Sequence, residues 1–206
     1  MADSGIPYIL EAALASISEV LSLSWLEKPP VWLLGGSCGL LLHGVQLNAP
    51  PRDIDLYADL EDAEVLHSAL SSYSVDGGPE EDYSGGCYSL RSRYRIGDAR
   101  VELVCGFQIG SGTRRYAVDV QLLLPHALIQ DFNGIGYMRL MPAAHELVFN
   151  LLRCRGDRCS AIANFMKVNL AGHLPLLQQL VLENGLDEAF GLQLETLLGV
   201  STSIEI

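Results

Sequence analysis

Apolar residues at Ile9, Leu10, Ala13, Leu14, Ile17, Val20 and Leu21 recur at helical spacing, and Pro7 suits a first turn. Residues 7–23 are therefore predicted to form an amphipathic helix. Pro29-Pro30 close that region, and Val31-Trp32-Leu33-Leu34 has the make-up of a short buried strand. Gly35-Gly36-Ser37 then turns the chain into an apolar helix expected to stop at Gly44. After Pro50-Pro51, the alternation in Asp53-Ile54-Asp55-Leu56-Tyr57 predicts a second strand. Asp59 is placed to cap a following helix to about residue 72, with Asp62 as favourable first-turn charge.

Residues 74–86, rich in Gly, Ser, Asp and Glu, predict a loop. A hairpin follows, Tyr88–Ile96 and Arg100–Ile109 about a turn at Gly97-Asp98. Further strands are expected at Tyr116–Leu122 and Tyr137–Met141. Pro142 opens a helix containing Leu147, Val148, Leu151 and Leu152, and the pattern stays helical to Leu198, with breaks at Gly172, Pro175 and Asn184-Gly185. This order predicts an α/β (α+β) fold, a mixed β-sheet core flanked by helices. Residues 1–141 would form the core with its N-terminal helix, and 142–206 a helical C-terminal region. The Leu-rich helices of that region are core, or the face of a homodimer.

The 206 residues hold ample core material, 49% hydrophobic against 18% charged. The longest apolar run, Val31 to Val45, is broken by glycines and His43 and is too short for a membrane span. The start lacks the basic region of a signal peptide, and the five cysteines include no C-x-x-C pair. A cytoplasmic location without membrane contact is expected, with neither a disulfide framework nor a structural zinc. The net charge of −12 is unevenly spread. Residues 1–90 carry fourteen acids against Lys28 and Arg52, whereas residues 91–158 carry ten arginines against six acids. That balance disfavours long nucleic acid, and suits a ligand with metal ions at one end and phosphates at the other.

The informative stretch runs from Gly35 to Leu56. Glycines permit close backbone approach, and N–H groups at a helix start attract phosphate oxygens, to which the Ser37 hydroxyl adds a donor. Asp53 and Asp55 flank Ile54, so both carboxylates leave one face of the strand. Two such acids can share a pair of divalent ions for in-line phosphoryl displacement.

Leu34-Gly35-Gly36-Ser37 together with Arg52-Asp53-Ile54-Asp55-Leu56 resembles the signature of the DNA-polymerase-β-like nucleotidyltransferase superfamily, and most of all its small bacterial antibiotic-modifying and toxin-type members. The motifs lie within residues 31–105. The resemblance implies that Gly35, Gly36 and Ser37 hold a nucleoside triphosphate and that Asp53 and Asp55 bind Mg²⁺, two ions in all. It also implies a third carboxylate on a later strand. Glu102, in Val101-Glu102-Leu103, is preferred over Asp119, in Val118-Asp119-Val120. The activity implied is transfer of a nucleoside monophosphate from an NTP to a hydroxyl or phosphate of a small-molecule or protein acceptor, with release of pyrophosphate.

Arg91, Arg93 and Arg95 repeat every second residue and share one face of the hairpin, as a solvated edge or as a ladder beside the cleft. A two-residue Gly97-Asp98 turn would set Arg93 opposite Glu102, and a three-residue turn would reverse the parity. Arg153, Arg155 and Arg158 form a second basic cluster near the end of the Pro142 helix. Arg155 and Arg158 can share a helix face. Arg93 and Arg155 are the triphosphate candidates, and Arg52 is auxiliary.

Other readings compete. Gly35-Gly36-Ser37-Cys38-Gly39 fits the G-x-S-x-G nucleophile elbow, with Asp119 and His145 in the right order to complete a serine-hydrolase triad. The chain upstream of Ser37 is short for the strands and loop of that fold. His145-Glu146-Leu147-Val148-Phe149 lacks the second histidine of an H-E-x-x-H zinc site. A non-catalytic nucleotide-binding or protein-interaction module of the same fold is the remaining alternative.

Overall fold

The computed structural model describes residues 6–23, 26–111, 114–131 and 137–200. Helix α1 (Tyr8–Val20) buries Leu10, Ala13, Leu14 and Ile17 against the sheet. Strand β1 (Trp32–Gly35) runs directly into α2 (Gly36–His43), which ends on Gly44 at a φ of 92°. β2 (Asp53–Ala58) and α3 (Ala63–Leu70) follow, then β3 (Glu80–Asp82), β4 (Cys87–Ile96), β5 (Ala99–Ser111) and β6 (Arg114–Ala117). A short helix α4 (Val120–Leu123), strands β7 (Leu128–Asp131) and β8 (Tyr137–Leu140), and helices α5 (Ala143–Leu152), α6 (Gly156–Met166), α7 (Leu170–Glu183) and α8 (Glu188–Leu198) complete the order.

The strands form one mixed sheet, β3-β4-β5-β2-β1-β8-β7, with β6 paired to the far end of β5. β1 lies antiparallel to β2, whereas β2 is parallel to β5 and β1 to β8. Alternation along each strand separates two apolar layers. Ile54, Leu56 and Ala58 of β2 and Val101, Leu103 and Cys105 of β5 join α1 and α3 in one. Tyr57 and Val104 face the other, built with α5, α6, α7 and α8. Asp53, Asp55 and Glu102 share the parity of Tyr57 and Val104, so they look toward the C-terminal helices.

The Gly97-Asp98 turn has two residues: Ile96 pairs with Ala99 and Arg93 with Glu102, Gly97 taking a φ of 58°. The parity left open by the sequence is thereby settled. Four expectations are corrected. The loop predicted at 74–86 contains β3, whose acids pair with the rim of β4. The strand predicted over Tyr116–Leu122 ends at Ala117, and Asp119 instead caps α4, its carboxylate accepting from Leu122 N–H at 2.8 Å. Asp59 does not cap its own helix; it accepts from Val120 and Gln121 N–H at 2.9 and 3.1 Å, on the same short helix. Asp62 is buried and accepts from Val31 N–H at 3.0 Å. Finally, Gly172 and Pro175 lie inside α7; of the predicted breaks Asn184-Gly185 holds, and the other breaks fall after Leu152 and after Met166. β7 was not predicted at all.

Candidate active site

The junction of β1 and α2 sits beside the middle of β2, Gly35 being the register partner of Asp55. Asp55 is in turn the partner of Glu102 on β5. Neighbouring strands lie about 4.8 Å apart, so the Asp55 and Glu102 side chains rise side by side. Gly36 has a φ of 60°, and a Cβ there would stand 2.0 Å from Asp55 Oδ2. The carboxylate thus occupies the space that any other residue would need. A Cβ on Gly39 would meet the Leu34 carbonyl oxygen at 2.6 Å, so α2 lies tight on its own strand.

These groups line a cleft of about 790 Å³ between the sheet and α5–α6. Gly36, Ser37, Asp53, Asp55 and Glu102 all contribute to its wall. Arg153, Arg155 and Arg158 face them from the helical side. The acidic and basic segments of the chain therefore meet across one cavity.

No protein-family profile and no curated protein matches this chain in sequence. Among solved structures, a Thermotoga maritima protein provisionally named a nucleotidyltransferase superposes with a TM-score of 0.60. The match covers 80% of this chain and 96% of that one at 16% identity. The chain has a nucleotidyltransferase fold. A lincosamide antibiotic adenylyltransferase with lincomycin bound aligns over 66% of this chain and 82% of its own, at 12% identity. The TM-score of that alignment is 0.41.

Within this nucleotidyltransferase fold the sequence candidates divide. Asp53, Asp55, Glu102, Gly36 and Ser37 come together. Gly35 stands behind them, where a Cβ would lie 2.8 Å from the Tyr57 ring. Arg93 does not line the cleft: its guanidinium is 3.6 Å from Asp76 and 3.9 Å from Glu102. Arg91 does line it, 3.0 Å from Asp82 and 3.9 Å from Glu102. Arg155 borders the cleft but precedes α6 as its N-cap residue, because α5 ends at Leu152 and Cys154 reverses the chain at a φ of 56°. The expected helix face shared by Arg155 and Arg158 is thus interrupted. Arg52 lies before the first residue of β2 and borders the cleft as well. Asp119 lines a separate depression with Tyr116 and Asn184.

Two groups stand in the site that were not among the chosen site residues, Arg158, named only within the second basic cluster, and Glu146. Arg158 Nη2 donates to Ser37 Oγ at 2.6 Å, joining α6 to the start of α2. Glu146, set aside with a failed zinc motif, is buried, and its Oε1 accepts from Gly36 N–H at 2.8 Å. Asn150, one turn later, donates to Glu146 Oε2 at 3.1 Å. The available signal was a Glu and an Asn four residues apart on the face of α5 that is otherwise apolar.

Burial, and then the nearby charges of Asp53, Glu102 and Glu146, push the Asp55 carboxyl up to about 7, with Arg158 opposing. Burial likewise pushes Glu146 up to about 7, against the Gly36 hydrogen bond and Arg158. Burial and the neighbouring Arg158 and Arg153 hold Arg155 below its usual value. Cys38, buried and near Asp55 and Asp53, is pushed up to about 12; it is a packed thiol donating to Asp53 O rather than a nucleophile.

The hydrolase triad is not assembled. Ser37 is held by Arg158, Asp119 by Leu122 N–H, and buried His145 meets the Tyr116 hydroxyl at 2.7 Å. Burial lowers His145 to about 3, so it stays neutral.

The donor set of the cleft is hard carboxylate oxygen, the chemistry of Mg²⁺ rather than of zinc. Asp55 sits among three further carboxylates, negative charge that a divalent cation would relieve. Among the described residues no three His, Cys, Asp or Glu side chains are already gathered tightly enough to grip an ion. Glu102 is drawn to 3.9 Å from both Arg91 and Arg93. In residue type the three acids suit Mg²⁺, and closing on an ion would require Glu102 to turn from the two arginines.

Proposed function

We propose that this protein transfers a nucleoside monophosphate from an NTP to a hydroxyl, or phosphate, of a small-molecule or protein acceptor, releasing pyrophosphate. The observation that carries the reading is the register Gly35–Asp55–Glu102, which stacks the Gly36-Ser37 turn and the carboxylates across adjacent strands of one cleft. Asp53, Asp55 and Glu102 would hold Mg²⁺. The bound metal supplies charge neutralisation and alignment of the phosphates. Ser37, Arg158 and Arg155 meet the triphosphate, and Arg158 already spans to the Ser37 hydroxyl.

The acceptor oxygen bonds to the α-phosphorus, the bond from that phosphorus to the bridging oxygen breaks, and pyrophosphate leaves with the electron pair. Glu102 takes the proton of an acceptor hydroxyl, which requires release from Arg91 and Arg93. Arg158 on α6 and Arg155 just before it balance the charge that grows on the leaving group. Rate enhancement then comes chiefly from positioning and from preorganised charge.

The test is thermal stability with each of the four NTPs, with Mg²⁺ or EDTA, for wild type and the Asp53→Ala/Asp55→Ala double variant. Ligand at 100 times Kd stabilises by about 2.7 kcal/mol, a rise of roughly 5–10 °C for a chain of this length. That rise should need Mg²⁺ and vanish in the double variant. No shift with any NTP at millimolar concentration removes the proposal. A second reading, nucleotide binding without turnover, is favoured by the two arginines beside Glu102. It predicts the same shift but no pyrophosphate release across an acceptor screen.

A further inference from the structure

Glu146 has no part in the chemistry assigned above, yet few side chains in the cleft cost more to place. It is 3% exposed, and a carboxylate at that depth is strongly destabilising unless hydrogen-bonded. Its two oxygens have separate donors. Gly36 N–H, from 110 residues earlier in the chain, reaches Oε1 at 2.8 Å. Asn150 Nδ2 reaches Oε2 at 3.1 Å and also donates to the Glu146 carbonyl oxygen at 2.8 Å. The whole unit is therefore anchored to one turn of α5.

The residue that Glu146 holds is the least adjustable in the turn. Gly36 has a positive φ, and its Cα is pressed against the Asp55 carboxylate on the side where a Cβ would be. One glycine is thus fixed from two directions, its N–H by Glu146 and its Cα by Asp55. The next residue, Ser37, presents its hydroxyl to Arg158 in the cleft. A helix start that binds an anion normally offers its first N–H groups outward. Here the first of them is turned to a carboxylate of the protein itself, so a polyphosphate must be met from Ser37 onward.

We infer that Glu146 is a positioning residue: by accepting the Gly36 N–H it sets the direction in which Ser37 and the first turn of α2 face the cleft, and with it the affinity for a polyphosphate. The inference rests on the nucleotide-binding reading of the cleft. A neutral glutamine also accepts from Gly36 N–H, although its amide would then face the donor amide of Asn150. Glu146→Gln keeps the contact that matters, and Glu146→Ala removes it.

The experiment measures two things on the full chain and these variants: binding of magnesium tripolyphosphate by calorimetry, and hydrogen exchange of the Gly36 amide by NMR without ligand. In Glu146→Ala the Gly36 amide should exchange about tenfold faster or more, and the tripolyphosphate Kd should rise about tenfold, as for loss of a hydrogen bond to a charged group. Glu146→Gln should stay within about threefold of wild type in both. Unchanged exchange and affinity in Glu146→Ala overturn the inference. So does a Glu146→Gln protein that protects Gly36 yet binds as weakly as Glu146→Ala, since the charge rather than the contact would then act. If Glu146→Ala does not fold, Asn150→Ala replaces it: this variant frees one oxygen of Glu146 and should raise exchange and Kd together. No change in either again overturns the inference. A wild type that binds neither tripolyphosphate nor any NTP defeats the nucleotidyl-transfer reading instead, while the exchange rates still decide whether Glu146 holds Gly36.

Discussion

Gly36→Ala isolates the contact on which the cleft is built. Two costs arise at this position. An L-residue in the left-handed region costs about 1–2 kcal/mol. The new methyl would also lie 2.0 Å from Asp55 Oδ2 and 2.9 Å from its Cγ, so the carboxylate must swing away. Overpacking of that kind adds about 1–3 kcal/mol. Gly44 provides the control, since its φ is 92° but nothing lies within 4 Å of a built Cβ. Gly44→Ala should therefore lose only the backbone part, about 2–8 °C in melting temperature for a chain of this size. Gly36→Ala should melt several degrees lower still. The decisive difference is in binding: Gly44→Ala should keep the Mg²⁺-dependent shift with NTP, and Gly36→Ala should lose most of it because Asp55 is displaced. If Gly36→Ala melts with Gly44→Ala and retains the full shift, the close approach of Asp55 to Gly36 is wrong, and the proposed site goes with it.

Further expectations follow from the same geometry. Arg158→Ala should weaken magnesium tripolyphosphate about tenfold by calorimetry, and unchanged affinity would remove this arginine from the phosphate site. Asp119→Ala should cost about 1 kcal/mol in urea unfolding through loss of its cap on α4. Its nucleotide-dependent shift should survive, and loss of that shift would restore Asp119 as the third carboxylate. Asp55 and Glu146 both titrate at about 7 when folded, against about 4 for free carboxyls. The fold thus favours their protonated forms, a contribution complete below about pH 4 and lost as pH rises to about 7. Asp55→Asn should flatten part of that fall in stability, and an identical pH profile for wild type and Asp55→Asn counts against the raised value.

What could be read in the sequence was what is local. The alternation around Ile54 sends Asp53 and Asp55 to one face whatever they pair with, and the Gly-Asp turn carries Arg93 to Glu102 once its length is known. Parallel pairing of β2 with β5 is another matter, because no local signal says that Asp55 will stand beside Glu102 rather than near Asp119. Asp119 was misread because an acid between two valines scans as a strand; its carboxylate found the N–H of Leu122 and started a helix instead. Asp59 was misread for a related reason, since its best donors were Val120 and Gln121, far along the chain. Glu146 was visible only as a fragment of a metal motif that failed. Its partner is the backbone of Gly36, and a main-chain donor leaves no trace in the identity of a side chain.

The interleaving of distant segments in the cleft has a consequence for the order in which the molecule comes into being. Gly36, Ser37, Asp53, Asp55 and Glu102 are all synthesised before β8 can join β1 and before α5 and α6 arrive with Glu146 and Arg158. A nascent chain that stops short of Glu146 carries Asp53, Asp55 and Glu102 but neither the buried acceptor that steadies Gly36 nor the arginine that faces Ser37. Polyphosphate affinity should therefore appear late during translation, as the last cleft-lining helix clears the ribosome, and not gradually as the sheet grows.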